Sequence, residues 1–313
     1  MLVNGQWQQK WDPFQKTSDK GEFVRQTSSF RHWITPDGSA GKTGESGFKA
    51  EIGRYHLYVA LICPWACRTL MVRKLKGLDE VVSYSVVSPV LGDQGWQFEE
   101  GSHDEIHGAQ FVHELYTHAD AEFTGRATVP ILWDKQTITI VNNESADIID
   151  MLNGSFGDLA TNDIDLRPLA LREEMMLLNN DLYHAVNNGV YKAGFAQTQA
   201  AYEKAYDDLF STLDELETRL QHQKYLLGSI ITESDVRLFV TLIRFDVAYH
   251  GLFKTNKKRI ADYPHLFDYM RRIYKLPGIS ETVNLDHIKA GYYSIKAINP
   301  LGIVPKGPEV SFV

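Results

Sequence analysis

Residues 55–71 read YHLYVALICPWACRTLM and decide the fold of the N-terminal half of the chain. The run from Tyr55 to Ala60 is mostly apolar and aromatic, which is typical of a buried strand. Trp65 to Lys76 has the pattern of a helix and follows Pro64, which fits the first helical turn because proline has no N–H group to lose. The stretch therefore predicts a strand that is followed within a few residues by a helix, with Cys63 between the two.

Short β-branched and aromatic runs continue on the C-terminal side of this stretch. They predict strands at 81–87, 129–133 and 137–141, the last two separated by a hairpin-sized gap, and a helix at 144–152. Strand, helix, strand, hairpin and helix follow one another in the order of a thioredoxin-like domain. A long polar insertion, residues 88–125, interrupts this order, and insertions of that length in a compact domain are usually functional or flexible.

The second half of the chain has the residue pattern of helices rather than of alternating strands and helices. After a polar linker at 153–168, apolar residues recur three and four positions apart, as in a helical bundle. The stripe formed by Leu209, Leu213, Leu216 and Leu220 is one example. We therefore predict an irregular N-terminal extension at 1–50, a thioredoxin-like domain at 51–160, and an all-helical domain at 161–313 whose residues 289–313 form an extended tail.

Composition excludes several classes of protein. The 313 residues are 43% hydrophobic, which is enough for two domains with real cores, and they contain only two cysteines. The sequence has no run of about 18 apolar residues and no basic-then-apolar start, so we expect neither a membrane span nor a secretory signal. A net charge of -8 argues against non-specific nucleic-acid binding. A cytoplasmic protein with no nucleic-acid or membrane partner is expected.

The two cysteines present four readings: a redox dithiol, a metal clamp, two core residues, or one nucleophile with a neighbour. A dithiol needs C-x-x-C spacing, but Ala66 occupies the second position. No further ligand pair completes a metal site, so no metal is expected. Cys67 is interpreted as a small buried residue. Cys63 faces the unpaired N–H groups at the helix start, which lower a thiol pKa, and is therefore the predicted nucleophile.

Several motifs resemble those of the glutathionyl-hydroquinone reductases, the Xi class of the glutathione transferase superfamily. They are YHLYVALICPWACRTLM, GRATVPILWDK, IVNNESADII, NNGVYKAGFA, VRLFVTLIRFD and INPLGI, in that order along nearly the whole chain. The resemblance implies a thioredoxin-like domain followed by an all-helical glutathione-transferase domain, a homodimer, and glutathione as co-substrate. One departure is Cys67, where the family often has histidine.

The resemblance also implies a glutathione site. Pro130 matches a cis-proline turn in which the preceding residue, Val129, offers its backbone to the cysteinyl part of glutathione; a trans bond is the default for such a pair. Glu144 and Ser145 match residues that bind the γ-glutamyl group at a helix start, where simple capping is the alternative.

Two further residues are candidates for contact with glutathione. Trp96, in the polar insertion, matches a tryptophan that packs on glutathione in the family, and packing beneath the loop is the alternative. Arg126 is a candidate partner for a carboxylate of the tripeptide, although a surface position is nearly as consistent with the sequence.

Tyrosines form the implied aromatic-substrate pocket. Tyr191 and Tyr292 match tyrosines placed around the substrate in the family, with roles in binding and in proton delivery. Tyr249 is a weaker candidate, and the choice of Tyr292 over the adjacent Tyr293 rests on alignment of the motif alone.

The implied reaction is attack of the Cys63 thiolate on a glutathionyl-hydroquinone, which gives a mixed disulfide that a second glutathione resolves. The nearest alternative is an omega-like thioltransferase or dehydroascorbate reductase that uses the same cysteine. A further alternative is a binding module without catalysis, in which Cys63 has an ordinary thiol pKa of about 8.5.

Overall fold

The structure, a computed structural model, describes residues 1–9, 17–43, 47–99, 103–309 and 312. Parts of the predicted N-terminal extension and of the predicted insertion lie outside these residues. The chain divides into two compact units. The first comprises the described parts of Met1–Asp12 and Thr27–Ile164 together with Thr282–His287, and the second comprises the described parts of Pro13–Gln26, Asp165–Glu281 and Ile288–Val313.

The first unit is built on a four-stranded mixed sheet. The strands of this sheet are β5 (Tyr55–Val59), β6 (Val82–Val86), β7 (Ile131–Asp134) and β8 (Thr139–Asn142). Two further pairs of short strands belong to the unit: β1 (Leu2–Val3) with β2 (Gln6–Trp7), and β3 (Ile34–Thr35) with β4 (Phe48–Lys49). The helices of the unit are α1 (Pro64–Leu75), α2 (Val112–Ala119) and α3 (Ser145–Gly154). The sheet order is β6-β5-β7-β8, with β5 parallel to β6 and antiparallel to β7, and β7 antiparallel to β8. This topology confirms the predicted thioredoxin-like fold.

All five residues of β5 are buried, including a histidine. The two ring nitrogens of His56 lie 2.8 and 2.9 Å from the hydroxyl oxygens of Ser83 and Ser85 on β6. Burial lowers the pKa of His56 to about 4, so the ring is neutral at physiological pH and its nitrogens remain satisfied inside the sheet. At the start of β5, Arg54 donates two hydrogen bonds to the buried carboxylate of Asp134 at the end of β7. The contacts of His56 with the two serines of β6, and the ion pair of Arg54 with Asp134, thus set the register of β5 against β6 and β7.

The segment between β6 and β7 differs from the sequence prediction. Its residues 112–119 form helix α2, whereas 88–125 was predicted as a polar insertion. The buried residues of α2 are Val112, Leu115 and Tyr116, spaced three and four apart. The N-terminal extension is also not wholly irregular, because β1 pairs with β2 and β3 pairs with β4.

The second unit is helical. Its helices are α4 (Arg172–Asp181), α5 (Gly189–Gly194), α6 (Gln199–Leu220), α7 (Glu233–Arg244), α8 (His250–Leu252), α9 (Pro264–Tyr274) and α10 (Leu285–Tyr293), with π-helical turns at Leu182–Asn187 and Phe245–Tyr249 and 3₁₀ turns at Ile260–Asp262 and Ser280–Thr282. Thr282 and the first turn of α10, Leu285 to His287, belong to the first unit, and α10 from Ile288 onward belongs to the second. The predicted leucine stripe on α6 is buried.

The prediction of an extended tail from residue 289 onward is wrong for residues 289–293. They were predicted to begin an extended tail, but they form the last turns of α10 and carry Tyr292. None of the helices formed by the described residues is both long and apolar enough to cross a membrane.

A buried carboxylate organises the second unit around the start of α7. Asp235 is fully buried and accepts hydrogen bonds from the backbone N–H groups of Leu226 and Thr232, at 2.9 and 2.7 Å. It also accepts from the hydroxyl groups of Thr232 and, on α9, Tyr269. Thr232 and Asp235 have the spacing of a capping box in the sequence, and in the structure the Thr232 N–H group donates to the Asp235 carboxylate as that motif requires.

Replacing Asp235 with alanine leaves these buried donors without an acceptor. We expect Asp235→Ala to lower the free energy of unfolding by about 3 kcal/mol, because each unpaired buried donor carries its desolvation cost. Urea denaturation monitored by circular dichroism measures the change. Asp268→Ala is the matched control: its carboxylate is 66% exposed, 3.8 Å from Arg271, and its loss should change stability by less than about 0.5 kcal/mol. Equal effects in the two variants contradict the organising role of Asp235.

Candidate active site

Cys63 lies at the point where the central strand of the sheet gives way to helix α1. It is the N-cap residue of α1, in extended conformation, and Pro64 occupies the first helical position. The N–H group of Cys63 donates to the Ala60 carbonyl at 2.9 Å, and its carbonyl accepts the N–H group of Cys67 at 3.0 Å. The half-buried thiol therefore lies at the N-terminal end of α1, where backbone N–H groups and the helix dipole favour a negative charge. This position favours the thiolate form.

Cys67 is one helical turn further on and has a different environment. Its side chain is 1% exposed, and its sulfur lies 3.5 Å from the backbone carbonyl oxygen of Thr282. Ala66, at the position of a C-x-x-C partner, is fully buried. The interpretation of Cys67 as a buried neighbour agrees with this packing.

The Val129–Pro130 peptide bond is cis, as the resemblance implied. The Val129 carbonyl oxygen lies 3.6 Å from the sulfur of Cys63, so the turn and the thiol are adjacent. The preceding residue, Thr128, is held by the hydroxyl group of Tyr116 on α2, which donates to the Thr128 carbonyl at 2.9 Å and accepts its N–H group at 3.1 Å. Tyr116 was not among the predicted site residues, because it lies within the segment that was predicted as a polar insertion.

The start of α3 combines a capped carboxylate with a serine hydroxyl. Glu144 is the N-cap residue: one carboxylate oxygen accepts the N–H group of Ala146 at 3.1 Å, and the other accepts the hydroxyl group of Ser28 at 3.1 Å. Ser145 is 2% exposed, and among the residues that the structure describes its hydroxyl group has no hydrogen-bond partner. A buried hydroxyl at the positive end of a helix is suited to an anionic ligand group.

Trp96 and Arg126 are both half-buried. The backbone of Trp96 is held, because its carbonyl oxygen accepts the N–H group of Val112 at 2.9 Å. Burial lowers the pKa of the Met1 amino group, and the positive charge of Arg126 lowers it further, which places Arg126 near the chain start. The predicted contacts of Trp96 and Arg126 with glutathione stay predictions.

The three predicted tyrosines meet in the second unit. The hydroxyl oxygen of Tyr292 lies 2.6 Å from that of Tyr191 and 2.8 Å from that of Tyr249. Tyr249 and Tyr292 are buried, and Tyr191 is half-buried. Burial raises the pKa of Tyr249 and Tyr292 well above the usual tyrosine value, so both remain protonated donors. The hydroxyl group of Tyr293 instead lies beside Gly251.

Two π-helical turns position these tyrosines. Tyr249 closes the π-helical turn that follows α7, and Tyr191 lies on α5, soon after the other π-helical turn. Such turns interrupt the regular advance of a helix and frequently occur at functional sites. Tyr292 comes from α10, so the cluster joins three separate elements of the second unit.

Residues of the N-terminal extension also contact Tyr191. The guanidinium carbon of Arg25 lies 4.8 Å from the centre of the Tyr191 ring, and the Phe23 ring lies 6.4 Å from it. Arg25 also donates from Nε to the side-chain oxygen of Asn188 at 3.0 Å. Arg25 and Phe23 were not among the predicted site residues, since nothing local in a polar, glycine-rich segment indicates a contact with a residue far along the chain.

Comparison with known protein families gives two matches. Residues 62–154 match the model of the glutathione S-transferase N-terminal domain, and residues 199–272 match that of the glutathione S-transferase C-terminal domain.

Individual relatives are similar over nearly their whole length. The chain is 48% identical to the glutathionyl-hydroquinone reductase YqjG of Escherichia coli, with 98% of this chain and 94% of the relative covered. It is 45% identical to the glutathionyl-hydroquinone reductase PcpF of Sphingobium chlorophenolicum, with coverage of 98% and 96%.

Solved structures are similar as well. The glutathione-bound structure of YqjG superposes with a TM-score of 0.91 at 46% identity, covering 100% of this chain and 97% of the other. The Xi glutathione transferase of Phanerochaete chrysosporium superposes with a TM-score of 0.88 at 48% identity, with coverage of 94% and 95%.

The hydroxyl group of Ser145 has no hydrogen-bond partner among the described residues, so replacing it tests whether the serine stabilises the fold or binds a ligand. We expect Ser145→Ala to change the free energy of unfolding by less than about 0.5 kcal/mol, because no hydrogen bond to a described residue is lost. Thermal denaturation of the ligand-free protein measures this. Ser155→Ala is the matched control at the other end of α3, where the hydroxyl donates to the Ile34 carbonyl at 2.7 Å, and it should cost about 1 kcal/mol. A loss at Ser145 as large as that at Ser155 contradicts the ligand assignment.

Proposed function

This chain belongs to the Xi class of the glutathione transferase superfamily, the family of glutathionyl-hydroquinone reductases, and on that basis we propose that it removes glutathione from glutathionyl-hydroquinones. The products are the free hydroquinone and oxidised glutathione. The observation that carries the proposal is the half-buried thiol of Cys63 at the N-terminus of α1, next to the Val129–Pro130 turn.

The first step is attack of the Cys63 thiolate on the sulfur of the conjugate. A sulfur–sulfur bond forms between Cys63 and the glutathionyl sulfur, and the carbon–sulfur bond to the ring breaks. The electron pair of that bond stays on the ring carbon, which takes up one proton to give the hydroquinone. The position of the thiol at the helix start supports this step, because the helix stabilises the attacking thiolate.

The second step regenerates the enzyme. The thiolate of a second glutathione attacks the mixed disulfide at the glutathionyl sulfur, releasing oxidised glutathione and the Cys63 thiolate. Ala66 at the C-x-x-C position supports this monothiol cycle, because a resolving thiol at that position is absent from the sequence. Over the whole cycle one glutathione is consumed as reductant for each conjugate.

Glutathione binding is proposed at the residues around Cys63. The backbone of Val129 pairs with the cysteinyl part of the tripeptide, and Ser145 with the N–H groups of α3 binds the γ-glutamyl carboxylate. Glu144 binds the γ-glutamyl ammonium group while keeping its capping bond to Ala146. Trp96 packs on the tripeptide and Arg126 pairs with one of its carboxylates.

The tyrosine cluster is proposed to serve the aromatic part of the substrate. Tyr191 and Tyr292 bind a quinol oxygen, and Tyr191 delivers the proton that the ring carbon takes up. The support is the chain of hydroxyl groups, in which that of Tyr292 lies 2.6 Å from Tyr191 and 2.8 Å from Tyr249, and the resemblance of the flanking motifs. Tyr249, at the buried end of this chain, holds Tyr292. The homodimer and the cytoplasmic location stay predictions.

Replacement of Cys63 tests the cycle directly. We expect Cys63→Ala to reduce turnover of glutathionyl-menadiol by at least roughly a thousandfold, because the nucleophile is removed. Hydroquinone release with excess glutathione measures turnover, and mass spectrometry of the intact protein detects the glutathione adduct. Cys67→Ala is the matched control and should keep both activity and adduct, since Cys67 is buried one turn away.

Two results would overturn the proposal. One is a Cys63→Ala variant that retains activity. The other is a wild-type protein that forms the adduct and reduces dehydroascorbate but turns over no glutathionyl-hydroquinone. That result would support the omega-like alternative instead.

The proposed glutathione site makes a separate prediction for Ser145. We expect Ser145→Ala to weaken glutathione binding about tenfold, corresponding to one lost charge-assisted hydrogen bond of about 1.4 kcal/mol. Isothermal titration calorimetry of the unreacted protein gives the dissociation constant. Ser155→Ala should leave it unchanged, and an unchanged affinity in Ser145→Ala excludes the serine from the site.

A further inference from the structure

The N-terminal segment from Thr17 to Arg25 is anchored within the second unit. Its chain turns back on itself, with Thr17 paired to Phe23 and the Ser18 N–H group bonded to the Glu22 carbonyl. The residues before α6 hold this turn. The Gly21 carbonyl accepts the Gln197 N–H group at 3.0 Å, and the Lys20 carbonyl accepts the Thr198 hydroxyl at 2.9 Å.

Gly21 shows how closely the segment approaches the start of α6. Its φ is +77°, and a Cβ atom at this position would lie 2.7 Å from the side chain of Thr198. Only glycine fits both the conformation and the contact. The contacts of Lys20 and Gly21 thus fix the segment on the helical unit, and they place Arg25 beside Tyr191.

Arg25 lies over the face of Tyr191 in a defined orientation. Its guanidinium carbon is 4.8 Å from the ring centre, within the range of a cation–π interaction. The hydrogen bond from its Nε to the buried Asn188, three residues before Tyr191, fixes the plane of the guanidinium. The ring of Tyr191 therefore has a cation on its face and the hydroxyl of Tyr292 at its tip.

We propose that Arg25 is a positioning residue that favours the phenolate form of Tyr191, and so sets how readily Tyr191 gives its proton to the departing aromatic ring. This inference rests on the proposed function, since it assigns Arg25 a part in the same protonation step. When Tyr191 transfers its proton, one O–H bond breaks and one C–H bond forms, and the negative charge remains on the phenolate until it recovers a proton from solvent.

The surroundings of Tyr191 support this assignment. A phenolate spreads its charge into the ring, which strengthens the attraction to the guanidinium above it. The hydroxyl of Tyr292, 2.6 Å away, donates to the phenolate oxygen, and that of Tyr249 in turn donates to Tyr292. The buried Arg244 also lies close enough to act on the two buried tyrosines electrostatically. Tyr191 is the one tyrosine of the three that is not fully buried, so it can exchange protons with solvent.

The direct test is the titration of Tyr191 without substrate. The tyrosinate absorbance of the wild type minus that of Tyr191→Phe isolates this residue, and the same difference is taken in an Arg25→Met background. We expect Arg25→Met to raise the pKa of Tyr191 by about one unit, because the cation that stabilises the phenolate is lost. Arg25→Lys, which keeps the charge, should retain at least part of the effect.

Turnover provides the second readout. With glutathionyl-menadiol, we expect Arg25→Met to lower kcat roughly threefold to tenfold, to change KM less, and to move the alkaline limb of the pH profile upward, as a weaker acid requires. Arg271→Met is the matched control: its guanidinium lies 5.8 Å from the Phe267 ring, on α9, and its loss should leave kcat and the pH profile unchanged. Circular dichroism verifies that each variant is folded.

The outcomes separate this inference from the proposed function. An unshifted Tyr191 titration in folded Arg25→Met overturns the inference, whatever the wild type does with the conjugate. An equal loss of kcat in Arg25→Met and Arg271→Met also overturns it. A wild type that forms the Cys63 adduct but turns over no conjugate overturns the proposed function instead, while the titration still decides whether Arg25 acts on Tyr191.

Discussion

The reversal from strand β5 to helix α1 is the constraint on which the first unit depends. The strand is buried along its whole length, and the helix must begin within a few residues of its end. This leaves backbone N–H groups at the helix start that no residue earlier in the helix can satisfy. Pro64 removes one of them, and Cys63 places a thiol beside the rest. The packing of the strand and the helix thus places the proposed nucleophile at the helix start.

Buried polar groups with several partners hold the less regular segments in place in both units. In the first, the hydroxyl of Tyr116 joins α2 to the turn at Thr128 and also accepts from Asn143, just before α3. In the second, Asp235 joins the start of α7 to the preceding loop and to α9. Each group is satisfied by several bonds, so it specifies one arrangement of its neighbours. The residues around Cys63 are therefore held by the same kind of contact that holds the fold.

Prediction succeeded where the pattern was local and strong. The four strands of the sheet, α1 and α3 lie within about two residues of their predicted limits, because runs of apolar residues with strong turn signals define them. It failed at α2, which is only eight residues long and lies in a polar stretch, and at residues 289–293, which end α10 instead of beginning the predicted extended tail. Short helices depend on packing more than on propensity, so their neighbours decide whether they form.

The sequence by itself determined the thioredoxin-like order of elements, the helical second half, and the placement of Cys63 at a helix start. These follow from periodicity and from one proline, which act over a few residues. Only the tertiary structure decided that Tyr292 rather than Tyr293 joins Tyr191, and that Arg25 lies over the same ring, 163 positions before its partner Asn188. Contacts between residues so far apart depend on the packing of several elements at once, and no local pattern records them.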